Sequence, residues 1–319
     1  NTYTSFLTEA GGSSIDLGSV TSGTSMTIDA QGNSVNVTGN LNNNGGNTAY
    51  FRGRSGFNIT GELDVTSSAT KNFTMDVGNG NLMNSLANHD LTLNTLNIVA
   101  RNNAPVTLPG NVTTTGNVDI DILGSNSAVN VNGNLASGGN VNIYSGGGSW
   151  NYSNNDINIT GDLTATDYIS FQNMNYSGDG SDLSIGGNIS STNSYAYFRN
   201  RGTNSDISVT GSTTSNTYTS FLTEAGGSSI DLGNDVNAGG NLTLSSNAGI
   251  TTSGSSVTLA SDSDGNGAGA LSITGNITTN NNDLTLQAPE LDLNYGINAG
   301  TGVVVLKPST DKAIHIGNT

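Results

Sequence analysis

The chain has no cysteine, only 4 prolines and a single tryptophan in 319 residues, and only 10% of its residues are charged. Without cysteine there is no thiol nucleophile, no disulfide framework and no Cys-containing zinc site. The two histidines, His89 and His315, stand in unlike contexts, so a His-rich metal site has nothing to build on. Basic residues are scarce, 8 against 24 acidic, for a net charge of −16. Nucleic acid and anionic lipid both recruit basic stripes, so neither partner is expected. No apolar run reaches the ~18 residues that cross a bilayer as a helix, and no membrane insertion is expected. Nor is there a G-x-S-x-G nucleophile elbow among the many serines.

What the chain does have is glycine, 44 residues, and still more asparagine, with 33% apolar residues. Glycine-rich, charge-poor text also suits disorder. Here the valines, isoleucines and leucines alternate with small polar residues, as in LTLNTLNIV at 91–99 and NVDIDIL at 117–123, which is the signal of a half-buried strand. No segment carries a helical stripe.

Repeats decide the architecture. Residues 1–18, NTYTSFLTEAGGSSIDLG, recur identically at 216–233. A shorter motif lies beneath: apolar, any, apolar, any, Gly. It reads Val35-Val37-Gly39, Phe57-Ile59-Gly61, Val129-Val131-Gly133, Ile157-Ile159-Gly161, Leu183-Ile185-Gly187, Ile207-Val209-Gly211 and Leu271-Ile273-Gly275. A mean spacing of ~24 residues falls in the range of stacked solenoid coils. The expected fold is all-β, a right-handed parallel β-helix of roughly 13 coils, the hand following the rule for parallel crossovers. Residues 1–319 are expected to form one continuous repeat domain, a segment of a longer array, because residues 1–18 copy an internal segment and Ala313–Gly317 still alternates.

Within a coil, each motif glycine is expected at a corner that needs positive φ or close backbone approach. Beside it, Asn40, Asn134, Asn188 and Asn276 are placed to bond to the next asparagine in a ladder. Phe171, Phe198 and Phe221 lie 10 or 11 residues beyond a motif glycine, and Phe51 and Phe73 lie 12 beyond theirs. An internal stacked ladder is favoured over an exposed sugar-binding stripe, because the ring recurs at one strand position.

The text at 291–317, LDLNYGINAGTGVVVLKPSTDKAIHIG, and at 241–261, NLTLSSNAGITTSGSSVTLAS, resembles the repeats of filamentous haemagglutinin-type exoproteins. That resemblance implies a secreted, two-partner-secretion type β-helix that serves as adhesin, matrix fibre or shaft. It places the chain outside the cell or on the bacterial surface. Its implied partners are further coils or copies of itself, and a host or cell-surface glycan or protein.

Chemistry is sparse. SDSDGNGAG at 261–269 resembles half a calcium loop, with Asp262, Asp264 and Asn266 at alternate positions, but Ile273 stands where the loop needs a glutamate. A Gly/Asp turn is the simpler reading. Arg52/Arg54 and Arg199/Arg201 form two R-x-R pairs, each after a Tyr-Phe. They either neutralise an acidic surface locally or contact a neighbouring fibre or an anionic glycan. Asn-x-Thr sequons at Asn36, Asn58, Asn158 and Asn276 are what chance gives in such a composition. No cofactor and no catalysis are expected. The alternative, a polysaccharide lyase or hydrolase on a β-helix, would need acids recurring at one strand position to line a groove. An ice-binding face would need Thr-x-Thr in every coil, and such pairs are sporadic.

Overall fold

The computed structural model describes residues 3–8, 13–65, 67–79, 90–146, 155–174, 180–254 and 256–310. Among them there is no helix, and every strand pairing is parallel, stacked as β-solenoid coils, about 12 across the chain. The chain divides into two compact units, Asn1–Gly161 and Asp162–Thr319. Coil length varies, from 20 residues (Ile273 to its partner Leu293) to 29 (Leu244 to Ile273), around the ~24-residue spacing of the sequence motif.

Each coil contributes a strand to three faces. In the second unit the first face contains Ile169–Asn173, Ala196–Asn200, Thr219–Thr223 and Leu242–Ser246. The third face contains Leu183–Ile185, Ile207–Val209, Ile230–Leu232 and Ile250–Thr252. The chain then turns a corner into the second face, with Leu163–Ala165, Ile189–Ser191, Thr213–Ser215 and Val236–Ala238. The first unit repeats this order, for example Thr95–Ala100, Val106–Leu108 and Val112–Thr114. Most three-residue strands read buried, half-buried or exposed, buried, because period-2 alternation sends both apolar residues of Ile207–Val209 or Leu183–Ile185 inward.

The motif apolar-x-apolar-x-Gly is therefore a third-face strand followed by its corner. The glycine is required there by crowding. A Cβ on Gly211 would lie 2.3 Å from the carbonyl oxygen of Gly187, one coil earlier. Most of the motif glycines have no positive φ; Gly275 does, at 140°, and it sits elsewhere. Leu271 and Ile273 belong to the first face, paired with Leu242 and Leu244, and Gly275 follows that strand. The corner glycine of that coil is Gly254, after Ile250–Thr252, where a Cβ would meet Gly233 O at 2.3 Å. Leu-x-Ile is common to two faces, so alternation alone could not tell which face a copy belongs to.

The corner asparagines act differently from the expected side-chain ladder. Several, among them Asn40, Asn188 and Asn276, offer the side-chain oxygen to the backbone N–H of the equivalent residue one coil on. Asn111 Oδ1 accepts from Asn134 N–H at 2.8 Å, Asn188 Oδ1 from Ser212 N–H at 3.0 Å, and Asn40 Oδ1 from Glu62 N–H at 3.1 Å. This satisfies an N–H that the corner takes out of the sheet ladder.

On the first face, Phe171, Phe198 and Phe221 stand in register and point inward, each 1% exposed or less. Their rings stack at 5.5 Å and 4.8 Å between centroids. Leu244 and Ile273 continue the column. Phe51 and Phe73 do not share one rung: Phe51 lies opposite Met75, and Phe73 opposite Ala49. Being two residues out of register, they meet edge-on at 6.2 Å and 84°. Phe6, in the duplicated segment, is in register with Ile28 but only half-buried, unlike Phe221.

Candidate functional site

Among the described residues, the five arginines pair with three carboxylates, Asp29, Asp76 and Glu224. Arg52 donates through Nε to Asp29 at 2.6 Å, one coil earlier in register, and its Cζ lies 5.9 Å from the Tyr50 ring centroid. The hydrogen bond to Asp29 raises the guanidinium pKa. Arg54 and Arg101 hold Asp76 from opposite sides, each at 2.6 Å. Arg199 and Arg201 bind the two carboxylate oxygens of Glu224 at 2.6 and 2.8 Å. Both R-x-R pairs thus lie at the end of a first-face strand, partly exposed, bonded to an acid on a neighbouring coil. This is the geometry of local charge neutralisation.

Asp262, Asp264 and Asn266 lie in one loop, where they bond to one another and to the loop backbone. Asp262 is buried with a left-handed backbone, φ 56°, and its carboxylate accepts from Gly267 N–H at 3.0 Å and Ser309 Oγ at 2.5 Å. Burial raises its pKa, but these hydrogen bonds more than reverse that, and the carboxyl is held below its usual range. Asp264 accepts from the backbone N–H and side-chain amide of Asn266 at 3.2 and 2.8 Å. The arrangement is a braced Gly/Asp turn. No group of three His, Cys, Asp or Glu among the described residues could hold a metal ion.

One feature escaped the sequence reading. Tyr168, Tyr195 and Tyr218 each immediately precede a first-face strand and stack on the outer corner between the second and first faces. The centroid separations are 5.0 and 4.7 Å, with interplanar angles of 8° and 10°. Burial raises the phenol pKa of Tyr195 and of Tyr218, so both remain neutral hydrogen-bonding groups at neutral pH. The signal was present as Tyr-x-x-Phe: each of these tyrosines stands three residues before Phe171, Phe198 or Phe221. An odd spacing puts the two rings on opposite sides of the wall, one column inside and one outside.

The outer column ends at Tyr218. The equivalent residue of the next coil is Asn241, whose carbonyl accepts from Thr219 N–H at 2.9 Å. An open groove of about 500 Å³ begins there, lined by Tyr218, Asn216, Thr217, Asn241, Asp264 and Asn266 among others. A second depression of about 360 Å³, lined by Ser190, Thr214 and Ser263, shares Asn216, Gly239 and Asp264 with it. The outer wall is the loop Asp262–Gly269, part of the 29-residue coil. That loop is pinned by Asp262 N–H to Gly240 O at 3.0 Å, Ser263 N–H to Ala238 O at 2.9 Å and Ala270 N–H to Asn241 Oδ1 at 2.9 Å. No family model, curated protein or solved structure matches the chain.

Proposed function

We propose that the chain is a structural stretch of an extracellular bacterial fibre of the filamentous haemagglutinin-like kind, serving adhesion, cell contact or matrix. The observation that carries this reading is where the polar chemistry is directed. Arginines, aspartates and corner asparagines bond from one coil to the next, as in Arg52–Asp29, Asn111–Asn134 and Asn188–Ser212. Side chains used in this way stabilise a stack. Acting on a substrate would instead need them converging on a common point. Zero Cys and an acidic, amide-rich surface suit a secreted polymer that must stay soluble. Its partners would be further coils or copies of itself, and a glycan or protein of the contacted surface.

Gold-labelled antibody raised against the chain tests this on native cells in the electron microscope. Decoration of surface fibres or matrix is the expected result. Label confined to the cell interior would overturn it. Depolymerisation of a polysaccharide by the purified chain, abolished by a single carboxylate substitution, would replace it with the enzymatic alternative.

A further inference from the structure

We propose that the groove beside Tyr218 binds a neutral saccharide, one pyranose ring stacking on the free face of Tyr218 as the next rung of the tyrosine column. The inference deepens the adhesive reading and rests on it for its biological setting. The geometry begins with the column itself. Stacked rings cover one another's faces, so Tyr195 is covered on both sides, by Tyr168 and by Tyr218. Tyr218 is covered on one. Tyr195 belongs to the preceding coil, whereas Gly240, Asn241 and the Asp264–Gly269 wall belong to the following coils, so the groove borders the opposite face of the Tyr218 ring. With Asn241 in place of a fourth tyrosine, and its amide oxygen held by Ala270 N–H, the next rung is left open to a flat ligand.

The lining selects the ligand class. Around the ring face stand Asn216, Thr217, Asn241 and Asn266, side chains that donate and accept hydrogen bonds without charge. Among the described lining residues Asp264 is the one acidic side chain; it offers oxygen acceptors to hydroxyls and disfavours anionic sugars. Among the described residues, no arginine or lysine lines the groove. A cationic ligand is the competing chemistry, but ammonium recognition relies on a cage of several aromatic faces, and here one face is offered. An apolar ring face flanked by uncharged hydrogen-bonding groups fits a pyranose, whose C–H face is apolar and whose rim is hydroxyl. The wall is pre-formed: its ends are pinned to Ala238, Gly240 and Asn241, and Asp262 is locked by Ser309 and Gly267. Little ordering cost therefore opposes binding.

The test uses the full chain and short linear oligosaccharides of glucose, mannose, galactose and N-acetylglucosamine, with polygalacturonate and choline as charged probes, read by saturation-transfer NMR and calorimetry. At least one neutral probe should bind saturably, with millimolar affinity that does not change with salt. Tyr218→Ala should weaken it by at least ~10-fold, while Tyr218→Phe, which keeps the ring face, should stay within about twofold. Tyr168→Ala, at the far end of the column, should bind as the wild type does, and thermal melts verify that each variant is folded. Absence of binding by every neutral probe overturns the proposal. So does binding that survives Tyr218→Ala, or preference for choline or polygalacturonate. Particles coated with the chain separate this site from the broader function. If no neutral oligosaccharide binds, or Tyr218→Ala binds it as well as the wild type does, while wild-type particles adhere to cells, this site is wrong and adhesion stands. If the wild type binds oligosaccharide but its particles adhere to nothing, the site stands and the adhesive reading falls.

Discussion

Phe198 sits in the middle of its column, with a ring stacked on each side, 5.5 Å from Phe171 and 4.8 Å from Phe221. Its removal leaves a cavity that neither neighbour can fill, since both are fixed by the strand register. Phe198→Ala should therefore cost about 3–5 kcal/mol in urea denaturation. A cost below about 1 kcal/mol would mean that the column is not tightly packed. Lys71 is a different case, a fully buried ammonium whose Nζ donates to Asn43 O at 3.0 Å and Asn43 Oδ1 at 2.5 Å. Burial lowers its pKa from 10.5 to about 8, partly opposed by the charge of Asp64. Below about 8 the lysine is protonated in both folded and unfolded chains, and the folded state bears the full cost of the buried charge. As pH rises from there toward 10.5, the folded chain releases its proton first, so stability rises by about 1–2 kcal/mol up to pH ~9.5. Tyrosines with raised pKa values, such as Tyr50 and Tyr197, work in the opposite direction only above their ordinary range near 10. The double variant Lys71→Met/Asn43→Val removes the donor together with its side-chain acceptor, and Val already occupies the paired position 65. Denaturation between pH 7 and pH ~9.5 should show the rise in the wild type and a flat profile in the double variant. A flat wild-type profile would show that Lys71 is solvated.

At the scale of the strand and its corner, the tight approach of successive coils is the controlling feature. A methyl on Gly211 would meet the backbone of Gly187, at 2.3 Å from O and 2.4 Å from C, and no rotamer change relieves a backbone clash. Gly211→Ala should cost about 1–3 kcal/mol by overpacking, whereas Gly226→Ala, with open space around it, should be near neutral. Equal melting temperatures for the two variants would show that the corner relaxes freely. This is also the scale at which sequence reasoning worked best. The third-face strand, its corner glycine and the first residue of the second face fall within one short window, so local alternation plus Gly located most of them. Leu271-Ile273-Gly275 was misplaced because it copies the pattern on another face. The 29-residue coil that holds the Asp262–Gly269 loop shifts the count locally. The Phe171–Phe198–Phe221 column was legible from spacing alone. The tyrosine column left only the spacing Tyr-x-x-Phe, and because an outward ring carries no burial signal that spacing does not mark a column without the stack above it. The acids that neutralise the R-x-R pairs lie 22 to 25 residues away, on other coils, and only the register reveals them.

Across the whole molecule, charge opposes the fold more than ion pairing supports it. Among the described residues, the five arginines bond to Asp29, Asp76 and Glu224, and the chain carries 24 acidic residues against 8 basic. Pairs with this exposure contribute roughly 0–1 kcal/mol each, and salt weakens them. The remaining acids repel one another in a chain of net charge −16. Coil stacking brings many of them close, since equivalent positions are separated by ~4.8 Å, well inside the screening length of ~10 Å at 0.1 M salt. Asp182 and Asp206 are one such pair: Asp206 N–H donates to Asp182 Oδ1 at 2.8 Å, so the two residues sit on successive coils. Asp119 and Asp121, on one strand, are another, and burial followed by the Asp119 charge raises the pKa of Asp121. Unfolding separates these acids, so repulsion is felt chiefly in the folded state. Salt should therefore stabilise the chain on balance, although it loosens the arginine pairs. The measurement is the urea midpoint at pH 7 in ~20 mM and ~500 mM sodium chloride, a range that shortens the screening length about fivefold. A higher midpoint at high salt is expected, and it should persist in Glu224→Gln, where the exposed pair of guanidinium contacts is lost. A midpoint that falls with salt would place the balance with the ion pairs and refute the argument from net charge.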